Sequence, residues 1–178
     1  MSREKRQRRA PVAGNDAAND VLLDSVEPKK SARRLADGAL TSVLGYRLAM
    51  ANVAMRQVFT QRIGDPLELR PVEFTVLQLL LANDDVTQSQ LARTLAMSAP
   101  NVTTLLDRLG ARDLVERERS ENDRRAQHVR LTSAGRALAR KTQQLSQTME
   151  DEALAHLSHA ERAMLVELLE KVIPQRDG

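Results

Sequence analysis

Cysteine is absent from this 178-residue chain, tryptophan is absent too, and aromatic residues are limited to Tyr46, Phe59 and Phe74. The first absence excludes disulfides, thiolate metal sites, a cysteine nucleophile and any cysteine redox switch. The scarcity of aromatics bears on fold class. Hydrophobic residues make up 42% of the chain, enough for a core, but they are mostly Leu, Val, Ala and Met. Such a core favours helices over β-sandwiches, which lean on aromatic and β-branched residues. Long apolar runs are also lacking. The longest uncharged stretch, Thr94 to Leu106, falls well short of the ~20 residues of a membrane span. The basic start Met-Ser-Arg-Glu-Lys-Arg-Gln-Arg-Arg is followed by no apolar run, so a secretory signal is not expected and a cytoplasmic location without membrane contact is. There is no Gly-rich phosphate loop, no H-E-x-x-H and no Ser/His/Asp set. His128 lies on a strand pattern, and His156 and His159 straddle a helix junction near Glu152. Surface histidines are the reading adopted; no enzyme, metal or cofactor is expected.

The net charge is only +3, and its distribution says more. Residues 1–36 hold nine Lys+Arg against five Asp+Glu, whereas the other 142 residues hold 18 basic and 19 acidic ones. Nucleic-acid binding would therefore have to rest on a local patch. Residues 1–34 carry one short apolar cluster, Val21-Leu22-Leu23, and are expected to be a basic, solvated and unfolded tail. A single domain over 35–174 should follow.

In that domain the apolar positions Leu40, Leu44, Leu48, Ala51, Met55 and Val58 recur at helical spacing. This helix should end near Ile63-Gly64-Asp65-Pro66, where Gly and Pro break the period. A second helix should start at Pro71 and bury Phe74, Leu77 and Leu81, closing at Asn83-Asp84-Asp85. Thr87-Gln88-Ser89-Gln90 reads as a capping box opening a short helix that buries Leu91 and Leu95. Ser98 should cap a fourth helix with Val102, Leu105, Leu106 and Leu109 on one face and Pro100, Thr103, Thr104, Asp107 and Arg108 on the other. The period then switches to two. Leu114–Arg119 and Gln127–Leu131 read as strands around a charged tip, Ser120-Glu121-Asn122-Asp123-Arg124-Arg125. Thr132 should cap a long helix carrying Leu138, Leu145, Met149 and Ala153. A last helix should start near Ser158, show Met164, Leu165, Leu168, Leu169 and Val172, and stop by Pro174.

That order predicts a mainly α chain with a small β-wing: a winged helix-turn-helix over about 66–131, between long helices over about 37–63 and 132–174. A short helix bracing a second one lets the latter enter a major groove. On the fourth helix, Asn101 suits adenine, Thr103 and Thr104 suit base edges or a thymine methyl, and Arg108 suits guanine or a phosphate. Asp107 would either accept from cytosine or pair with a neighbouring arginine. Arg117, Arg119, Arg124, Arg125 and Arg130 fall within fourteen positions of the hairpin; arginine at a hairpin tip suits a narrow minor groove. Asp123 is placed to orient Arg125 through a bidentate pair. A winged fold used only for protein contacts would be expected to lack so many arginines. The apolar faces of the terminal helices exceed what one monomer can cover, which predicts a homodimer.

Asp123-Arg124-Arg125-Ala126-Gln127-His128-Val129-Arg130-Leu131-Thr132, followed by Gly135, resembles the D-x-R-x-x-x-V-x-L-T-x-x-G wing signature of the multiple antibiotic resistance regulator (MarR) family. Leu91-Ala92, Ser98, Val102-Thr103, Leu109 and Leu114-Val115 also sit where the family pattern places them. The resemblance implies a homodimer on a palindromic operator of double-stranded DNA, acting as a repressor released by a small aromatic or anionic effector. It implies that Arg125 enters the minor groove braced by Asp123 and that Arg119 contacts the backbone; Arg124 is a further candidate DNA contact. Ser98, Pro100, Asn101, Thr103, Thr104 and Arg108 would form the major-groove surface. By position, Tyr46, Arg47, Met50, Met55, Phe74 and Leu77 are the candidate effector contacts, or ordinary core. A peroxide-sensing branch relies on a cysteine that this chain lacks.

Overall fold

The structure, a computed structural model, describes residues 35–119 and 127–173. They divide into two compact units, one ending at Ala49 and the other starting at Met50. In the first, Gly38–Ser42 forms a 3-10 turn and Val43 is extended, so the helix expected from Leu40 begins only at Leu44. The hydroxyls of Thr41 and Ser42 donate to the carbonyls of Gly38 and Ala39, a local alternative to helical bonding. Helix α1 spans Leu44–Phe59.

In the second unit α1 does not stop at Gly64 or Pro66 as expected. It continues through a π-helical stretch, Thr60–Gly64, and one further turn, Asp65–Leu67. The wider π turn keeps the proline ring clear of the preceding carbonyls. Gly64 serves a close approach instead, since a Cβ there would stand 3.3 Å from the Leu69 carbonyl oxygen. The helix ends where Glu68 turns left-handed (φ 51). Leu69 N–H then donates to Gly64 and Glu68 N–H to Asp65, the paired bonds of a Schellman ending.

Helix α2 spans Pro71–Ala82. Its buried positions are Glu73, Val76, Leu77 and Leu80, while Phe74 and Leu81 are half-buried, so its inner face is rotated from the one expected. Strand β1, Val86–Thr87, is too short to show any period and was not anticipated. Thr87 also caps α3, Gln88–Leu95, accepting from Gln90 N–H while Gln90 Oε1 accepts from Thr87 N–H at 2.7 Å. This is the expected capping box. Helix α4, Ala99–Ala111, buries Val102, Leu105, Leu106 and Leu109, as its spacing required.

Strands β2, Val115–Arg119, and β3, Gln127–Leu131, are antiparallel, and the sheet order is β1-β3-β2. The register pairs Val115 with Leu131 and Arg117 with Val129, so the buried Val115, Val129 and Leu131 share the inner face. Thr132 accepts from Gly135 N–H and opens α5, Ser133–Ser146. Regular helix ends there, short of Met149 and Ala153. Residues 147–157 continue as irregular turns, and the Arg162 guanidinium ties them together by donating to the carbonyls of Asp151 and Leu154. Helix α6, His159–Val172, is capped by Ser158. Its apolar side chains face outward: Met164, Leu165, Val166, Leu168 and Val172 are all exposed.

Candidate nucleic-acid interface

Helices α3 and α4 and the β2–β3 hairpin follow one another within the second unit. The turn from α3 to α4 is made by Ala96, left-handed at φ 52, and Met97 N–H returns to the Ala92 carbonyl. The four buried apolar residues of α4 hold one side of it to the core. Its other side exposes Pro100, Asn101, Thr104, Asp107 and Arg108. Thr104 donates its hydroxyl back to the Pro100 carbonyl at 3.1 Å, which leaves its oxygen lone pairs outward.

Thr103 is half-buried and already engaged. Its hydroxyl donates to the Ala99 carbonyl and accepts 2.7 Å from Gln88 Nε2 on α3. Ser98 stands exposed at the helix start in extended conformation, but its side chain makes no capping bond. Pro100 removes the N–H at one of the two positions a cap would serve, and the Ser98 hydroxyl does not bond the other, the Asn101 N–H. Asp107 is paired with Arg117 of β2, the second of the two alternatives open for it.

Two of the hairpin arginines are held in ion pairs. Arg130 reaches Asp85 at 2.8 Å and Glu118 at 2.9 Å. Its hydrogen bond holds the Asp85 carboxyl below the usual carboxylate range, and the same bond, helped by Glu118, raises the guanidinium pKa further. Arg117 and Arg130 are thus committed at the hairpin root. Arg119 pairs by backbone with Gln127 at the last rung of the ladder. Asp123, Arg124 and Arg125 lie outside the described residues.

Beside α3 opens a cleft of about 380 Å³ lined by Gln88, Ser89, Ala92, Arg93, Ala99 and Gln127. It has an arginine, two amides and no carboxylate, a lining that suits an anion. Across the same helix, the cleft that includes Asp84 and Asp85 has the opposite character. Among the described residues no acidic or histidine cluster suits a metal, and no helix is long and apolar enough to cross a membrane. His156 and His159 are exposed and His128 is half-buried.

The candidate effector residues are spread over both units. In the first, Tyr46 donates to Asp37 at 2.8 Å and Arg47 to the Thr41 carbonyl. In the second, Met50 is exposed and Met55 half-buried, Phe74 packs edge-on against Phe59, and Leu77 lies in the core.

Three side-chain contacts have partners that sequence reasoning did not name. Gln88 meets Thr103 fifteen residues away, and no pattern signals it. Arg117 has a signal, because strand alternation puts it on the same face as Val115. A third, Arg112 at the end of α4, donates to the carbonyls of Leu67 and Glu68 and so fastens the end of α1.

Comparison with known proteins gives a consistent result. A profile of the MarR family matches residues 67–126. The multiple antibiotic resistance protein MarR of Escherichia coli K12 is 31% identical over 132 residues, which is 74% of this chain and 91% of that protein. Among solved structures, the transcriptional repressor CouR bound to a 23-mer DNA duplex aligns with a TM-score of 0.73 at 35% identity, over 79% of this chain and 99% of CouR. A cysteine-to-serine mutant of Escherichia coli MarR complexed with operator DNA aligns with a TM-score of 0.70 at 30% identity, over 78% of this chain and all of the other. The fold is a winged helix-turn-helix, and the chain belongs to the MarR family.

Proposed function

We propose that the protein is a cytoplasmic transcription regulator that binds a palindromic operator in double-stranded DNA as a homodimer and represses the genes beside it. Helix α4 enters the major groove, where Asn101, Thr104 and Arg108 meet base edges and Ser98, Pro100 and Thr103 border the contact. The hairpin lies along the adjacent minor groove, with Arg125 inserted, Asp123 bracing it, Arg124 beside it and Arg119 on the backbone. The apolar sides of the terminal helices meet those of the second copy; the basic tail read over residues 1–34 lies outside the described residues. The carrying observation is the exposed polar row on α4, held in a fold that aligns over 79% of the chain with a DNA-bound repressor. This activity requires no catalytic step and no cofactor. Release by a small aromatic or anionic effector rests on the family resemblance, as does the assignment of Tyr46, Arg47, Met50, Met55, Phe74 and Leu77 to it.

The test is fluorescence anisotropy of labelled duplexes, using one that the full chain has selected from a randomised pool and a scrambled control. Affinity should fall steeply with salt as counterions are released. Arg125→Ala should weaken the selected duplex strongly, because a guanidinium in a narrow groove combines charge with shape selection. Thr104→Ala should relax discrimination at one base position by ~1–3 kcal/mol. Failure to select any duplex would refute the reading. Parent-like affinity of a folded Arg125→Ala would refute the wing assignment.

A further inference from the structure

We infer that Arg117 is a positioning residue for α4 and not a DNA contact: its ion pair with Asp107, together with the Gln88–Thr103 hydrogen bond, sets the roll of the DNA-reading helix. The inference rests on the DNA-binding reading above and concerns how that site gains its specificity.

The two fasteners come from different elements and land one helical turn apart on α4, at Thr103 from α3 and at Asp107 from β2. A helix packed only by leucines and valines retains freedom to rotate slightly about its axis, since apolar packing is not directional. Polar contacts at i and i+4 remove that freedom. Each residue step is about 100° around the helix, so even a modest roll redirects Asn101, Thr104 and Arg108.

The burial of Arg117 supports a holding role. It stands opposite the buried Val129 and on the inner face with Val115, and its side chain is only 25% exposed. An arginine meant for phosphates would be expected in the open. Here three-quarters of the side chain is covered and the guanidinium pairs with Asp107, whose own side chain is 62% exposed. The pair also neutralises the one carboxylate on the exposed row of α4, where a bare negative charge would oppose the phosphates.

Two substitutions and their combination test this in the full chain, with the selected and scrambled duplexes as probes and circular dichroism as the check on folding. Arg117→Met should lower affinity for the selected duplex about tenfold, because Asp107 is left unpaired toward the DNA. The dependence of affinity on salt should keep its slope. Adding Asp107→Asn to Arg117→Met removes the repelling charge but not the lost fastener, so affinity for the scrambled duplex should recover while the ratio between selected and scrambled duplexes stays narrowed. Asp107→Asn alone frees a cation, so it should tighten the scrambled duplex and narrow the ratio between the two. That single variant decides the matter if Arg117→Met does not fold. A salt slope reduced by about one unit in Arg117→Met, with the ratio between the two duplexes kept, would make Arg117 a phosphate contact and overturn the inference. An unchanged ratio in Asp107→Asn would overturn it as well. A parent chain that selects no duplex removes the DNA-binding reading itself, and this inference with it.

Discussion

A Cβ added to Gly135 would stand 1.8 Å from the carbonyl oxygen of Leu114. The first turn of α5 is therefore pressed against the backbone where the chain enters β2. Thr132 fixes the approach: its N–H donates to Leu114, its hydroxyl donates to the Asp113 carbonyl, and its oxygen accepts from Gly135 N–H. In an ordinary helix Gly→Ala gains up to about 1 kcal/mol. Here the clash is with main chain, which cannot swing aside, and overpacking of that kind costs about 3 kcal/mol or more. Gly135→Ala should lower the urea midpoint accordingly. A midpoint at or above the parent's would show that the two segments can part.

Thr142 is completely buried in α5, donates to the Ala139 carbonyl and accepts 2.9 Å from Gln78 Nε2 on α2. Thr142→Val keeps the shape and deletes the acceptor. Gln78 retains its bond to Ala139, so the loss should be about 1 kcal/mol, read from chemical denaturation.

Ala96, between α3 and α4, is left-handed and exposed. Glycine there escapes the Cβ penalty of about 1–2 kcal/mol but gives the unfolded chain more freedom. Ala96→Gly should raise stability by about 0.5–1 kcal/mol. A lower thermal midpoint would contradict the assignment of strain to this turn.

Arg130 depresses the Asp85 pKa in the folded state. The stabilisation is therefore present above the ordinary carboxylate pKa of 3.8 and is lost as pH falls through the lower folded value. Asp85→Asn should lose less stability than the parent on acidification below about pH 4. The difference between them should shrink in high salt, since both side chains are solvent-exposed. Parallel acid limbs would remove Asp85 from the account.

The periodic parts of the chain were legible. Val102, Leu105, Leu106 and Leu109 lie on the face their spacing required, and β3 occupies the residues its alternation marked. What escaped was structure without a period. Strand β1 has two residues. Glu68, Ala96 and Asp113 all turn left-handed at helix ends, where sequence reasoning looks for glycine. Gly64 and Pro66 carried a stop signal that a π turn absorbed. On the candidate interface the residue types were readable, but their mutual bonds were not. Thr103 and Asp107 gave no sign of which neighbours would take them, because the partners are 15 and 10 residues away and brought close only by packing.

The outward apolar row of α6 has a consequence for how the protein responds to its own abundance. Leucines and a methionine from 43% to 61% exposed stabilise nothing while the chain is alone. If a second copy buries them, association and folding share one free energy, and the folded fraction follows mass action. The melting temperature should then rise with protein concentration, and Leu168→Glu should flatten that rise while leaving the melting of the dilute chain nearly unchanged. In a cell, the first few copies made would be the most fragile, and each further copy would protect those already present.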